Sequence, residues 1–283
     1  MMQGRKKVSV NDIIAMKGAE KISVLTAYDY STSLICDRAG IEILLVGDSA
    51  GMVVLGYSST APVGMQEMIM FCGAVARGAK RAMIVGDMPF GSYQPNASVA
   101  VENAVQLVKA GCDAVKLEGG SEIIGTIKAI VDAGIPVMGH IGLKPQTSSL
   151  WEGYKLQGRT KESAAKLVDD AKALEKAGVF SMVLEMVASE VADAITKSVS
   201  VPTIGIGSGL GCDGQVLVLH DMLGIYEDIR PKFVKRYAEL SKSIFDAVSS
   251  YTREVKTGRF PGEPNTFHMS PEELDRFRKA KKK

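Results

Sequence analysis

Residues 44–49 read LLVGDS, and residues 84–88 nearly repeat this pattern as IVGDM. In each stretch, a run of Val, Ile and Leu ends in Gly-Asp. A continuous aliphatic run of this length predicts a parallel strand that helices cover on both faces. Asp48 and Asp87 then stand where each strand leaves the core. The two stretches therefore predict buried strands of an α/β fold, each with an acidic residue at its carboxyl end.

Similar apolar runs recur along the whole chain. The strand candidates are 22–27, 43–47, 82–86, 114–117, 135–139, 180–184, 201–206 and 216–219. Between them lie helical patterns, of which 97–110, 121–133 and 161–177 each stop before a glycine that suits a helix C-cap. The repeated strand–helix order predicts a (βα)8 TIM barrel.

Helical patterns also flank the predicted barrel. They cover residues 10–18 before the first strand and 231–256 after the last, followed by a short capped segment over 270–280. We therefore expect an added N-terminal helix and a C-terminal helical extension. The whole chain, 1–283, is predicted to be a single barrel domain, with the barrel over about 20–225 and the C-terminal helix and tail over 226–283.

Composition excludes several classes of function. The 283 residues are 46% hydrophobic and 23% charged, and the net charge of +2 gives no reason to expect a nucleic-acid or membrane partner. The four cysteines are scattered without metal-ligand spacing, as expected in a reducing cytosol. No stretch resembles a signal peptide or a membrane span. We expect a cytoplasmic protein.

Closing the barrel would bring all strand ends to one face, where barrel enzymes hold their chemistry. Three of the strand-end acids are Asp48, Asp87 and Glu118, which would repel one another unless a cation joins them. Mg²⁺ prefers such oxygen ligands and commonly keeps water and substrate among them. We expect two direct carboxylates and a third that acts through water. For any single aspartate, capping of the next helix is the alternative.

Further strand ends carry groups that could bind and activate a substrate. Lys116 and Glu118 lie two residues apart and point to the same side of a strand, so Lys116 either pairs with Glu118 or binds an anionic substrate oxygen. His140 is either a buried core imidazole or a polar group of the site. Glu185 ends a strand away from the metal acids and is the candidate general base, with a pKa raised by burial.

Three connecting segments carry further signals. GIGSGLG at 205–211 lacks the third glycine of a dinucleotide-binding fingerprint and follows the seventh strand, where many barrels bind an anion. The segments 48–64 and 141–160 are longer than ordinary α/β connections and are predicted to be lids or binding loops. The second segment contains Trp151, Tyr154 and Arg159.

In these residues and in the strings around them, the chain resembles the ketopantoate hydroxymethyltransferase family. The matching strings run in order over about residues 10–268 and include TAYDYS at 26–31, VGDSAGMVVLGYSST at 46–60, VKLEGG at 115–120, VMGHIGLKPQ at 137–146 and DGQVLVLHDMLG at 213–224. The resemblance implies transfer of a hydroxymethyl group from 5,10-methylenetetrahydrofolate to 3-methyl-2-oxobutanoate through a Mg²⁺-stabilised enolate. The implied product is 2-dehydropantoate, in pantothenate and coenzyme A synthesis, and the implied assembly is a homo-oligomer, usually a decamer.

The resemblance also assigns roles to individual positions of this chain. It implies that Asp48 and Asp87 bind Mg²⁺, with Glu118 in the outer role. It implies contacts to the 2-oxo acid from Ser49, Asp87, Lys116 and, with a less defined role, His140, and it implies that Glu185 accepts the proton. The alternatives are another Mg²⁺-dependent lyase or aldolase barrel that acts on a 2-oxo acid, and a non-catalytic barrel that binds one.

Overall fold

The computed structural model of the chain describes residues 6–147, 154–228 and 230–281. Within these residues, eight strands pair in parallel, each with the next along the chain, and the last pairs with the first to close a barrel. The strands are β1 (Ile22–Thr26), β2 (Ile43–Val46), β3 (Met83–Asp87), β4 (Ala114–Glu118), β5 (Val137–Gly142), β6 (Ser181–Glu185), β7 (Thr203–Ile206) and β8 (Gly214–Leu217). The predicted TIM barrel is confirmed.

The strand boundaries differ from the predicted ones by a few residues. β5 and β7 begin at Val137 and Thr203, two residues later than predicted. Each start follows a proline, Pro136 or Pro202, which has no N–H to donate to a neighbouring strand. The carbonyls of both prolines still accept hydrogen bonds. That of Pro136 accepts from the N–H of Val115, and that of Pro202 accepts from the N–H of Met182. Proline therefore sets the point at which each of these strands joins the barrel.

Helices alternate with the strands. In the described residues the α-helices are Val10–Ala15, Tyr30–Ala39, Ala50–Val53, Met65–Gly78, Ala97–Ala110, Ile124–Asp132, Lys161–Ala177, Ser189–Ser198, Leu219–Met222, Leu240–Lys256 and Pro271–Ala280, and the 3₁₀ helices are Ser121–Ile123 and Glu263–Asn265. The predicted helices 97–110 and 161–177 are confirmed at both ends. Asn96 and Thr160 cap their first turns, and Gly111 and Gly178 end them in the left-handed conformation.

Three predicted helices have different bounds. The pattern over 121–133 splits into a 3₁₀ turn and a shorter α-helix, and the N–H of Ser121, at the start of the turn, bonds to the Asp170 carboxylate at 3.0 Å. The N-terminal helix ends at Ala15, before the left-handed Gly18. The helix predicted from 231 begins only at Leu240. The residues from 231 to 239 are irregular. Among them, Phe233 packs against the interior cluster of the barrel, and Val234 is 8% exposed.

The chain separates into two compact units, Met1–Tyr237 and Ala238–Lys283. The first contains the barrel, and the second contains the helices Leu240–Lys256 and Pro271–Ala280. That both belong to one domain stays a prediction. No helix in the described ranges has the length and apolar character needed to cross a membrane.

The barrel interior changes from apolar to polar along the strands. Side chains of alternate strand residues fill it, and at the lower levels these are Ile, Val, Leu and Met, with Ile13 of the N-terminal helix packed into the same cluster. At the upper level of β3, Asp87 follows Val85 inside the barrel. On β4, Lys116 and Glu118 follow Ala114 at the same two-residue spacing. The polar residues therefore collect at the carboxyl ends of the strands.

Candidate active site

A cavity of about 380 Å³ opens at the carboxyl ends of the barrel strands. Its lining includes every residue that the sequence predicted for the site: Asp48, Ser49, Asp87, Lys116, Glu118, His140 and Glu185. These residues come from five different strand ends or the turns that follow them. Closure of the barrel is what brings them together, since they are up to 137 positions apart in the chain.

Asp48 and Asp87 lie side by side because β2 and β3 are paired, with Val46 beside Gly86. The N–H of Asp48 donates to Oδ2 of Asp87 at 3.3 Å. Both residues are almost fully buried. Burial raises the pKa of Asp48 well above its ordinary value, and the negative charges of Asp87 and Glu118 raise it further. The two aspartates thus form a pair of buried acids whose mutual repulsion a bound cation would reduce.

Lys116 lies between the acids. β3 and β4 pair so that Asp87 is in register with Lys116, and the ammonium lies 2.8 Å from Asp87 Oδ1 and 3.6 Å from Glu118 Oε1. Burial alone would lower the pKa of Lys116, but the charges of Asp87, Glu118 and Asp48 outweigh it and raise the pKa above its ordinary value. The lysine therefore carries a positive charge inside the barrel. Its closer partner is Asp87 rather than its near neighbour in sequence, Glu118.

His140 connects the lysine to the candidate base. Its Nδ1 lies 3.2 Å from Lys116 Nζ, and its Nε2 lies 3.4 Å from Glu185 Oε2. Burial, and then the charge of Lys116, hold the pKa of His140 well below its usual range, so the ring is neutral. Because Nδ1 faces an ammonium donor, the ring hydrogen belongs on Nε2, which is buried and makes no hydrogen bond to any of the described residues. His140 therefore directs an unused N–H towards Glu185.

Glu185 stands at the end of β6 and is open to the cavity, with 15% of its side chain exposed. Burial raises its pKa to about 8, and the charge of Asp87 adds to this effect while Lys116 opposes it. The following residue, Met186, is left-handed with φ 47°. Ser208 supports this turn, since its hydroxyl donates to Leu184 O at 2.7 Å and accepts from Val187 N–H at 3.0 Å. The backbone around Glu185 is thus held from both sides.

Ser49 follows Asp48 at the cavity wall. Its hydroxyl lies 2.8 Å from the hydroxyl of Tyr28, so one of the two donates to the other. The ring of Tyr28 contacts His220, with the two ring centres 5.4 Å apart. Asp221 lines the cavity, and burial raises its pKa to about 6. The eighth strand end thus supplies a carboxylate to the cavity, while its histidine packs on Tyr28.

The two long segments lie beside the cavity in different ways. The first contains the short helix Ala50–Val53, from which Met52 and Val53 line the cavity. In the second, residues 148–153, with Trp151, lie outside the described residues, whereas Tyr154 lines the cavity. Their movement as lids stays a prediction.

The glycine-rich segment after β7 is closely packed. A Cβ at Gly207, which has φ +66°, would lie 2.9 Å from the Phe233 ring, and one at Gly209 would lie 2.8 Å from Ser189. Both glycines are therefore required by close approach of neighbouring groups. That the loop binds an anion stays a prediction.

Sequence patterns did not single out Gln146. It follows Pro145 in the loop after β5, is completely buried, and bonds to Asp48 and Glu118. A glutamine in a loop carries no periodic signal, and its amide is neutral and does not titrate. Only its contacts identify it as part of the site.

The site suits a divalent cation that two carboxylates bind. Among the described residues, no three His, Cys, Asp or Glu side chains converge closely enough to hold one metal ion together. Asp48 and Asp87 do adjoin, both line the cavity, and Oδ1 of Asp87 is paired with the Lys116 ammonium. Octahedral Mg²⁺ commonly binds through one or two carboxylates and fills its other positions with water and substrate oxygens. The donor set therefore suits Mg²⁺ with Glu118 outside direct contact.

The chain matches known proteins over most of its length. Residues 7–263 match the family model described as ketopantoate hydroxymethyltransferase. A protein of Nitrosopumilus maritimus named 3-methyl-2-oxobutanoate hydroxymethyltransferase is 58% identical over 271 residues, covering 95% of this chain and 97% of that protein. A protein of Cenarchaeum symbiosum with the same name is 59% identical over 260 residues, covering 92% and 98%.

A solved structure supports the fold at much greater sequence distance. Phosphonopyruvate hydrolase, in a complex with oxalate and Mg²⁺, superposes with a TM-score of 0.59 at 14% identity, covering 96% of this chain and 98% of that one. At this identity the likeness concerns the barrel fold alone.

Proposed function

The chain belongs to the ketopantoate hydroxymethyltransferase family and is a hydroxymethyltransferase, and on this premise we propose how its cavity carries out the reaction. The substrate is 3-methyl-2-oxobutanoate, the donor is 5,10-methylenetetrahydrofolate and the product is 2-dehydropantoate. The observation that carries the proposal is the meeting of Asp48, Asp87, Lys116 and Glu185 in one buried cavity. This combination can bind a 2-oxo acid and remove a proton from it.

Asp48 and Asp87 are the proposed ligands of Mg²⁺, and Glu118 binds a water beside it. The support comes from the hydrogen bond between the Asp48 N–H and Asp87 Oδ2, and from the charge of Asp87, which raises the pKa of the nearby Asp48. A barrel of the same fold, phosphonopyruvate hydrolase, has been solved with Mg²⁺ and the two-carbon diacid oxalate. When bound, Mg²⁺ would act as a Lewis acid towards the ketone of the substrate.

Lys116 and Ser49 hold the substrate. The positive charge of Lys116 attracts the oxygen on which negative charge develops when C3 loses its proton. Its ion pair with Asp87 keeps the ammonium at the level of the acids. The Ser49 hydroxyl, already in contact with Tyr28, contributes a hydrogen bond to the oxo acid.

Glu185 accepts the proton from C3. A pKa of about 8 makes this carboxylate a stronger base than an exposed glutamate. His140 is neutral, and its Nε2 lies 3.4 Å from the carboxylate, so its N–H faces the group that accepts the proton. Water cleaves the two C–N bonds of the donor's methylene group, which releases tetrahydrofolate and leaves the one-carbon unit as formaldehyde. The carbon freed of its proton bonds to the formaldehyde carbon, and the proton held by Glu185 passes to the new hydroxyl oxygen.

The outer part of the cavity is the proposed site of the folate. Its lining includes Met52, Tyr154, Tyr226 and Phe233, which offer apolar and aromatic surface to a flat heterocycle. The polar groups lie at the inner end. The methylene carbon would therefore approach C3 from the outer side.

A turnover assay with 3-methyl-2-oxobutanoate, methylenetetrahydrofolate and Mg²⁺ tests the proposal. We expect 2-dehydropantoate to form only when all three are present, and C3–H exchange with solvent to continue when the folate is omitted. Exchange without any folate-dependent product would instead identify a lyase or aldolase. Binding of the oxo acid without exchange would identify a non-catalytic barrel.

The assembly and compartment are also proposals. We propose a homodecamer, on the resemblance to the family, and analytical ultracentrifugation measures its mass directly. We propose that the protein acts in the cytoplasm, because its four cysteines are buried and unpaired, as in reducing compartments. Cell fractionation tests the second proposal.

A further inference from the structure

The side chain of Gln146 is fully buried. Both the NH₂ group and the oxygen of its amide make hydrogen bonds. Its Nε2 donates to Asp48 Oδ2 at 2.9 Å and to Met88 O at 2.9 Å. Its Oε1 accepts from the hydroxyl of Tyr93 at 2.8 Å. The two N–H donors and the carbonyl acceptor of the amide are therefore all engaged.

These partners allow only one orientation of the amide. Asp48 and the Met88 carbonyl are acceptors, so the NH₂ group must face them. A flipped amide would direct its own oxygen at a carboxylate and a carbonyl, and would turn its NH₂ towards the Tyr93 hydroxyl. Tyr93 is itself fixed, since it is buried and its hydroxyl also lies 3.0 Å from Glu118 O.

The backbone of the same residue reaches the third acid. The N–H of Gln146 donates to Glu118 Oε2 at 3.2 Å. One residue therefore holds one oxygen of Asp48 through its side chain and one oxygen of Glu118 through its main chain. Oδ1 of Asp48 is then the oxygen left to serve the cavity, and Oε1 of Glu118 faces Lys116 Nζ at 3.6 Å.

We propose that Gln146 is a positioning residue that sets the orientation of Asp48 and Glu118 before any cation or substrate binds. The inference rests on the proposed Mg²⁺ role of these acids. Groups that orient metal ligands commonly contribute 10–100-fold to metal affinity. Without the amide, Asp48 loses a hydrogen bond that defines which of its oxygens faces the cavity.

The variant Gln146→Leu keeps the approximate volume and removes all three hydrogen bonds of the side-chain amide. We expect the dissociation constant of Mg²⁺ alone, measured by calorimetry without substrate, to rise by about 10–100-fold. In assays, the half-saturating Mg²⁺ concentration should rise by a similar factor, and saturating Mg²⁺ should restore part of the lost turnover. Gln106→Leu is the matched control, because Gln106 is exposed and its side chain donates only to Asn103, and it should leave both quantities unchanged.

A purely structural role would lower the thermal midpoint and kcat without moving the Mg²⁺ requirement. If the unmodified enzyme requires Mg²⁺ and Gln146→Leu has the same requirement, the inference is overturned while the proposed function stands. If the unmodified enzyme neither binds nor requires a divalent cation, the proposed metal site and the inference both fail.

Tyr93→Phe provides a second variant should Gln146→Leu not fold. It removes the single hydroxyl that holds the amide oxygen and leaves the ring in place. We expect the Mg²⁺ dissociation constant to rise about threefold or more, and an unchanged constant would overturn the inference. Because the lost hydroxyl also leaves buried acceptors without a donor, a modest fall in the thermal midpoint should accompany the weaker binding.

Discussion

Glu185 combines burial with access to the cavity. Its carboxylate faces the cavity, yet burial raises its pKa to about 8. The left-handed Met186 and the hydroxyl of Ser208 hold the backbone on its carboxyl side. A base of this kind is partly protonated near neutral pH and gains activity as pH rises.

Replacing Glu185 with Gln should leave binding of the 2-oxo acid intact and lower C3–H exchange by about 10²–10⁴-fold, since the amide cannot accept the proton. In the unmodified enzyme, exchange should rise with pH and level off above about 8, because only the ionised carboxylate is a base. Proton NMR in D₂O measures both. Exchange at the normal rate in the variant would assign the base role to another group.

Replacing either Asp48 or Asp87 with Ala should abolish Mg²⁺-dependent binding of the 2-oxo acid, because each variant leaves only one of the two adjoining carboxylates. Calorimetry with and without Mg²⁺ measures the effect, and circular dichroism should show a folded barrel. Asp132→Ala, at an exposed helical position, is the control and should bind normally. Unchanged turnover in either site variant would remove the proposed metal site.

At the scale of elements, the N-terminal helix and the strand ends occupy opposite ends of the barrel. Ile13 of the helix Val10–Ala15 is fully buried in the interior cluster, whereas its neighbour Ile14 is 39% exposed. Ser9 caps the helix, with its hydroxyl and N–H both bonded to Asp12. The helix therefore closes the apolar end and leaves the polar end open.

Ile13→Ala should lower the free energy of unfolding by about 2–5 kcal/mol, since it leaves a cavity in the packed interior. Ile14→Ala, one residue further on the same helix, should change it by less than about 0.5 kcal/mol. Urea unfolding measures both. Turnover of the folded Ile13→Ala enzyme should stay near normal, because the site lies at the other end, and equal stability of the two variants would contradict the helix's role.

At the scale of the whole molecule, the cavity places ionisable groups in a barrel that is otherwise apolar. Glu185 has an ordinary pKa of 4.5 when exposed and about 8 in the folded protein. Between pH 4.5 and about pH 8, the folded state keeps a proton on Glu185 that the unfolded state has released. The stability contributed by this proton is complete below about pH 4.5 and is lost as pH rises through about 8.

The metal-free protein should therefore lose thermal stability as pH rises from about 4.5 to about 8, and the slope should flatten above about 8, where Glu185 is ionised in both states. Differential scanning calorimetry measures this slope. Glu185→Gln should make the slope shallower, because the amide does not ionise. A variant slope as steep as that of the unmodified protein would show that Glu185 does not carry this linkage.

Most of the barrel could be predicted because its signals are local. Aliphatic runs mark each strand, and glycines such as Gly111 and Gly178 mark helix ends. Errors arose where a distant contact overrode the local pattern, as at Phe233, which packs on the barrel instead of extending the last long helix.

The sequence by itself determined the eight strands, the polar residues at their carboxyl ends and, through its colinear strings, the family. Which of those residues touch was decided only by the tertiary structure. Barrel register puts Lys116 nearest Asp87, although Glu118 is its neighbour in the chain. The fold also brings Gln146 to Asp48 across 98 positions. Strand identity depends on residues a few positions apart, whereas the partners of a buried polar group depend on which strands and loops the closed barrel sets beside it.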